Sequence, residues 1–255
     1  MNHFQAHRSS RAFGAVLFAV CATAASAQAP PAPDAETTFN AGLVHLKEGR
    51  PEQALEEFKK AVKQNPKSPY FYKGLGLAYA RLNHPKEAIE AFRKALQINP
   101  YYVDVRNDLG AALILGGKRE EGRKEFMAAF NDPMNPSPEL TAGNLGQAYL
   151  EEKNYTDALN WFRTSAARNK AYPAAYLGMA DALMAMGRLD DAIAQLDIGF
   201  KALPDDLHLE LTLGEALYRA GRFGDARPKL EHVAAKDPGG PEGLRAAELL
   251  KNFPK

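Results

Sequence analysis

The sequence predicts an all-α solenoid, a right-handed superhelix of six helix–turn–helix repeats closed by a C-terminal capping helix. Three observations predict it. Small residues return at one phase, Gly42, Gly76, Gly110, Gly146, Ala180 and Gly214, at spacings of 34, 34, 36, 34 and 34 residues. Twelve residues after each comes a second small residue, Ala54, Ala88, Gly122, Ala158, Ala192 or Ala226, and four further on a bulky one, Phe58, Phe92, Phe126, Phe162, Leu196 or Leu230. Around these marks apolar residues recur at three- and four-residue intervals, as in Tyr70–Leu82 and Lys86–Ile98, which is the pattern of paired amphipathic helices. A hairpin of two such helices leaves an apolar face that only the next hairpin can cover, so the units must stack.

The elements follow in order. Arg8 and Arg11 precede the apolar run Ala12–Ala25, and Ala25-Ser26-Ala27 supplies a small-x-small cleavage pattern, so residues 1–27 read as a secretory signal peptide. Residues 28–34 read as a disordered Pro/Ala linker. Export to the periplasm is the resulting expectation. The alternative is an outer-membrane lipoprotein attached through Cys21, although Val20 stands where a small residue is wanted. Membrane contact is expected only in that case. The six repeats then occupy 35–68, 69–102, 103–136, 139–172, 173–206 and 207–240. Gly49, Gly117, Gly187 and Gly221 fall where first helices end in a left-handed residue, and Pro85 suits the first turn of a second helix. Asn65-Pro66, Asn99-Pro100, Leu203-Pro204 and Asp237-Pro238 end second helices. Pro228 is placed near the first turn of its helix, where a missing donor costs little. Between repeats three and four the spacing lengthens by two, and the connector from Asn131 to Pro138 holds three prolines that stop either helix from running through. Trp161 is expected to pack against it. Residues 241–255 carry Leu244, Ala247, Leu250 and Phe253 at helical spacing and form the cap.

Repeat two carries Tyr72, Leu75, Gly76, Tyr79, Ala88, Phe92, Ala95 and Pro100. With these residues the chain resembles the tetratricopeptide repeat family from Ala35 to Gly240. The loop Asp132-Pro133-Met134-Asn135-Pro136 and the fourth repeat also resemble the exported six-repeat proteins of type IV pilus biogenesis, pilotin-like proteins that help an outer-membrane secretin assemble. The resemblance implies a concave groove lined by the first helix of each pair. Carried over position by position, its partner-binding residues are Phe39, Leu43, Leu46 and Lys47 in repeat one, and Tyr70, Lys73, Leu77 and Arg81 in repeat two. Asn107, Ile114 and Leu150 follow in repeats three and four, Leu177, Asp181 and Met184 in repeat five, and Leu211, Glu215 and Tyr218 in repeat six. The family's carboxylate clamp is not expected, because its places hold Phe39, Leu43, Gly74, Asp104 and Asp108.

Composition narrows the partners. The formal charge is +1 over the whole chain and about −1 without residues 1–27, so neither nucleic acid nor an anionic membrane is favoured. The one cysteine, Cys21, lies in the expected signal peptide, which leaves the mature chain no disulfide and no thiol nucleophile. Gly74-Leu75-Gly76 lacks the third glycine and preceding strand of a nucleotide loop. His45, His84, His208 and His232 occupy unrelated repeat positions and form no ligand pair. The reading is therefore a non-enzymatic protein-binding scaffold with no cofactor and no metal. Its largely apolar groove is expected to take an apolar or amphipathic segment of an envelope protein. The expected role is an adaptor in envelope assembly, in pilus or secretin biogenesis; the alternative is a periplasmic holdase-like chaperone for secreted clients.

Overall fold

A computed structural model of the protein describes residues 34–253. The expected signal peptide and the linker up to residue 33 lie outside them. The described residues form thirteen helices and no strand. Six antiparallel pairs come first: α1 (Ala35–Lys47) with α2 (Pro51–Gln64), α3 (Pro69–Arg81) with α4 (Pro85–Ile98), and α5 (Val103–Leu115) with α6 (Arg119–Phe130). Then come α7 (Pro138–Glu151) with α8 (Tyr155–Arg168), α9 (Pro173–Ala185) with α10 (Leu189–Ala202), and α11 (Leu207–Arg219) with α12 (Phe223–Lys236). The capping helix is α13 (Pro241–Lys251). This is the all-α solenoid that the sequence predicts.

Each turn within a pair is built the same way. The N–H of Arg50, His84, Lys118, Asn154, Arg188 or Arg222 reaches back five residues to a first-helix carbonyl at 2.8–2.9 Å, around a residue with positive φ. Gly49, Gly117, Gly187 and Gly221 supply that conformation as expected, but Asn83 (φ 58°) and Lys153 (φ 60°) do so in repeats two and four. Second helices α2, α4 and α8 end on an asparagine whose side-chain oxygen accepts the N–H two residues on, from Lys67, Tyr101 and Ala171 at 2.9–3.1 Å. Such turns give the chain a local alternative to continuing the helix.

Asn135 ties down the longer connector in the same manner. Its oxygen accepts from the Ser137 N–H at 2.9 Å, and its amide donates to the Ala129 carbonyl and the Thr141 hydroxyl at 2.9 and 3.1 Å. Trp161 meets Phe130, the last helical residue before the connector, edge-on at 5.3 Å. Pro228 also lies elsewhere than expected: it is the sixth residue of α12, beyond the first turn, so the Gly224 carbonyl has no N–H four residues on.

Packing explains the small residues. A Cβ on Gly110 would stand 2.7 Å from the Phe126 ring and 3.1 Å from the Gly122 carbonyl, and one on Gly122 would stand 2.7 Å from the Gly110 carbonyl. Two backbones are in contact there. The second helix of each pair also packs on the first helix of the next, and buried clusters bridge neighbouring repeats, such as Phe92, Val105, Leu109 and Leu113, or Phe162, Met179, Leu183 and Leu196. Successive first helices bring their backbones together from α1 to α11, whereas second helices reach one another only through side chains. The first helices therefore line the inner face of the array.

Candidate functional site

The inner face is where the groove residues must meet. At its amino-terminal end Leu43 and Tyr70 are 41% and 58% exposed, although both are large and apolar in body. Lys47 and Arg81, at the same repeat position, are exposed with no carboxylate at ion-pair distance among the described residues. Phe39 is drawn inward instead: its ring packs 5.3 Å from Phe58 and 5.0 Å from Phe71, and Leu46 joins the same cluster. Leu77 is half-buried against the cluster of repeats two and three.

At the centre of the face a neutral polar bridge joins repeats three and four, where Asn144 donates to Asn107 at 3.1 Å. Beside that pair lies a cleft of about 260 Å³, lined by Ala111, Ile114, Leu115, Gln147 and Glu151. Leu115 is 52% exposed in it. Leu150, Leu177 and Met184 are half-buried on the core of repeats four to six.

The capping helix closes the carboxy-terminal end. Leu211 is only 7% exposed, buried with Leu230, Val233 and Ala246. Glu215 accepts from Arg245 at 2.7 Å, and the Tyr218 hydroxyl donates to the Asn252 carbonyl at 3.0 Å while its ring packs on Phe223 and Phe253. These three residues serve the cap, so the face they were expected to offer a partner is already covered. Asp181 stays exposed, its carboxyl raised above the ordinary range by desolvation that nearby His208 and Arg219 partly offset.

Sequence reasoning passed over one charged cluster. Lys73 lies 3.6 Å from Asp104 and 3.9 Å from Asp108, with its ammonium 5.2 Å from the centre of the Tyr102 ring. One Asp108 oxygen is buried without a hydrogen-bond partner. Burial pushes the Asp108 carboxyl up to about 6; Lys73 opposes the shift and Asp104 adds to it. Burial likewise pushes the Tyr102 phenol up to about 12, with Tyr70, Asp104 and Asp108 adding to it. Repeat alignment holds the missed signal: the Asp108 place is Asn40, Gly74, Asn144, Gly178 and Thr212 elsewhere, none of them ionisable.

A family model described as a tetratricopeptide repeat matches residues 56–197, and two others with that description match 177–241 and 35–68. The chain belongs to the tetratricopeptide repeat family. A search of curated proteins finds no match. Among solved structures, this tetratricopeptide array is similar to pilF of Pseudomonas aeruginosa, with a TM-score of 0.64 at 24% identity over 86% of this chain and 97% of that one. It is similar to PilW, a type IV pilus biogenesis factor, with a TM-score of 0.66 at 23% identity over 82% and 96%. Yeast Tom70 gives 0.68 at 16% identity over 86% of this chain and 46% of its own. At such identities the likeness shows the fold alone. Among the described residues no group of three or more His, Cys, Asp or Glu could hold a metal ion, and no helix is long and apolar enough to cross a membrane.

Proposed function

We propose that the protein is an exported scaffold of the bacterial envelope that holds an apolar or amphipathic segment of a partner protein in its inner groove, in type IV pilus or secretin biogenesis. One observation carries the binding mode: Leu43, Tyr70 and Leu115 remain exposed on the face that repeat stacking leaves open, beside the unpaired cations Lys47 and Arg81. A soluble chain rarely leaves such a surface uncovered without use for it. Covering about 400 Å² of apolar surface contributes roughly 10 kcal/mol gross, and association costs of about 4–15 kcal/mol leave micromolar affinity for one peptide. The pilus role draws its support from the near full-length likeness to PilW and pilF. Export rests on the Arg8–Ala27 pattern, which lies outside the described residues.

The test is capture from envelope extract by the wild type and by a Leu43→Ser, Tyr70→Ser, Leu115→Ser variant, whose changes all fall on exposed side chains. One stoichiometric envelope partner, lost with the triple variant at unchanged helicity, is the expected result. A heterogeneous client set would favour the chaperone role instead. Undiminished capture by the folded variant would remove the groove as the working surface.

A further inference from the structure

Because second helices reach one another only through side chains, clefts open between them on the outer face, and one of about 610 Å³ lies between α10 and α12 over α11. It shares no residue with the groove. In the corresponding cleft between α4 and α6, Arg93 of α4 pairs with Glu121 of α6 at 2.9 Å, and Arg106 of α5 pairs with Glu125 of α6 at 3.0 Å. Repeat arithmetic places Asp197 and Asp225 where Arg93 and Glu121 stand, so the first bridge becomes acid against acid. Glu210 and Lys229 occupy the places of Arg106 and Glu125. Yet Lys229 sits 4.1 Å from the centre of the Phe200 ring, and Glu210 takes the His232 Nδ1 at 2.6 Å instead.

Glu210 is 4% exposed, so a carboxyl lies at the floor of the cleft, and its second oxygen has no hydrogen-bond partner among the described residues. Buried Ile193, Leu213 and Leu217 make the rest of that floor apolar. Pro228 on the wall leaves the Gly224 carbonyl beside the cleft without the helical donor four residues on. Asp197 and Asp225 meet Lys201 and Arg222 only through exposed pairs within their own helices or at their ends, which contribute little and are readily displaced.

We propose that this cleft is a second protein-binding site, one that takes an arginine side chain carried on an apolar segment of a partner. The aliphatic stem lies over Ile193 and Leu217, and the guanidinium binds Asp197, Asp225 and the second oxygen of Glu210, displacing the exposed Lys201 and Arg222. A planar fork of donors suits several oxygens at once, which favours arginine over the single point charge of lysine.

The probe is the peptide acetyl-Leu-Arg-Leu-amide, titrated into the full chain and followed through backbone amide resonances, with the Arg→Glu peptide as control. Saturable shifts centred on Ile193, Leu217 and Gly224, absent with the control and weakened by salt, are expected. Asp197→Arg restores the cation of the α4–α6 cleft and should lower affinity at least tenfold with the melting temperature unchanged. Asp225→Lys, also on an exposed side chain, is the independent check. Leu43→Ser in the groove should leave these shifts as they are. Shifts confined to the inner face, equal binding of both peptides, or full affinity in both charge variants would overturn the site.

Discussion

Replacing Asp108 by asparagine should stabilise the protein at neutral pH and do nothing near pH 4. The Asp108 carboxyl titrates at about 6 in the fold against an ordinary value of 3.8, chiefly because burial disfavours its charged form. A raised carboxyl value means that folding binds the proton. Below about pH 4 both states are protonated and the group contributes nothing; between about 4 and 6 a penalty builds, and above 6 it is fully present. Two pKa units correspond to about 3 kcal/mol, which is a ceiling, since about a quarter of the side chain remains in water and Lys73 lies 3.9 Å away. An effect of about 1–2 kcal/mol is expected, which for a chain of this size moves Tm by about 2–8 °C. Asparagine keeps the shape and removes the charge, and Asp104 still pairs with Lys73. Thermal unfolding followed by circular dichroism at about pH 7 and pH 4 reads the difference. An Asp108→Asn variant no more stable than the wild type at pH 7, or a gap of equal size at both pH values, would refute burial as the cause.

Two further outcomes test the repeat architecture. Gly110→Leu should cost at least about 1–3 kcal/mol, because even its Cβ would stand 2.7 Å from the Phe126 ring; an unchanged melting temperature would mean that the helices do not cross there. Lys153→Gly should raise stability by up to about 1 kcal/mol by relieving a left-handed lysine at φ 60°, while Lys153→Ala should give no gain. Equal stability of the two variants would show that backbone conformation is not what limits this turn.

The fold was legible because every rule that produces it repeats. Spacing alone located the two small positions and the bulky side chain set against them, since a backbone contact like that of Gly110 with Gly122 tolerates no Cβ. Pro228 was misplaced because its position within the helix depends on where α12 starts by a residue or two, which periodicity does not set. The groove was legible as positions and not as surface. The family pattern gives Leu43 and Leu211 the same weight, yet one is exposed and the other lies under the cap, a difference created by a helix about thirty residues further along the chain. Asp108 escaped because an acid on a helix reads as solvated until the opposing Lys73 and Tyr102 are in place.

The capping helix also bears on what the inner face accepts. It presents Leu249, Leu250 and Phe253 to the apolar surface of the last repeat, while Arg245 answers Glu215 and Glu242 lies 3.7 Å from His208. An amphipathic helix with charges matched to the first-helix positions is thus already seated at one end of the array. The other end offers the same kind of surface in Leu43 and Tyr70, with the unpaired cations Lys47 and Arg81 beside them. A segment of the same build that docked there would have to set carboxylates where α13 sets Arg245. Opposite charge demands at the two ends distinguish a bound partner segment from a second copy of the cap, whose own arginine would meet Lys47 and Arg81 with like charge.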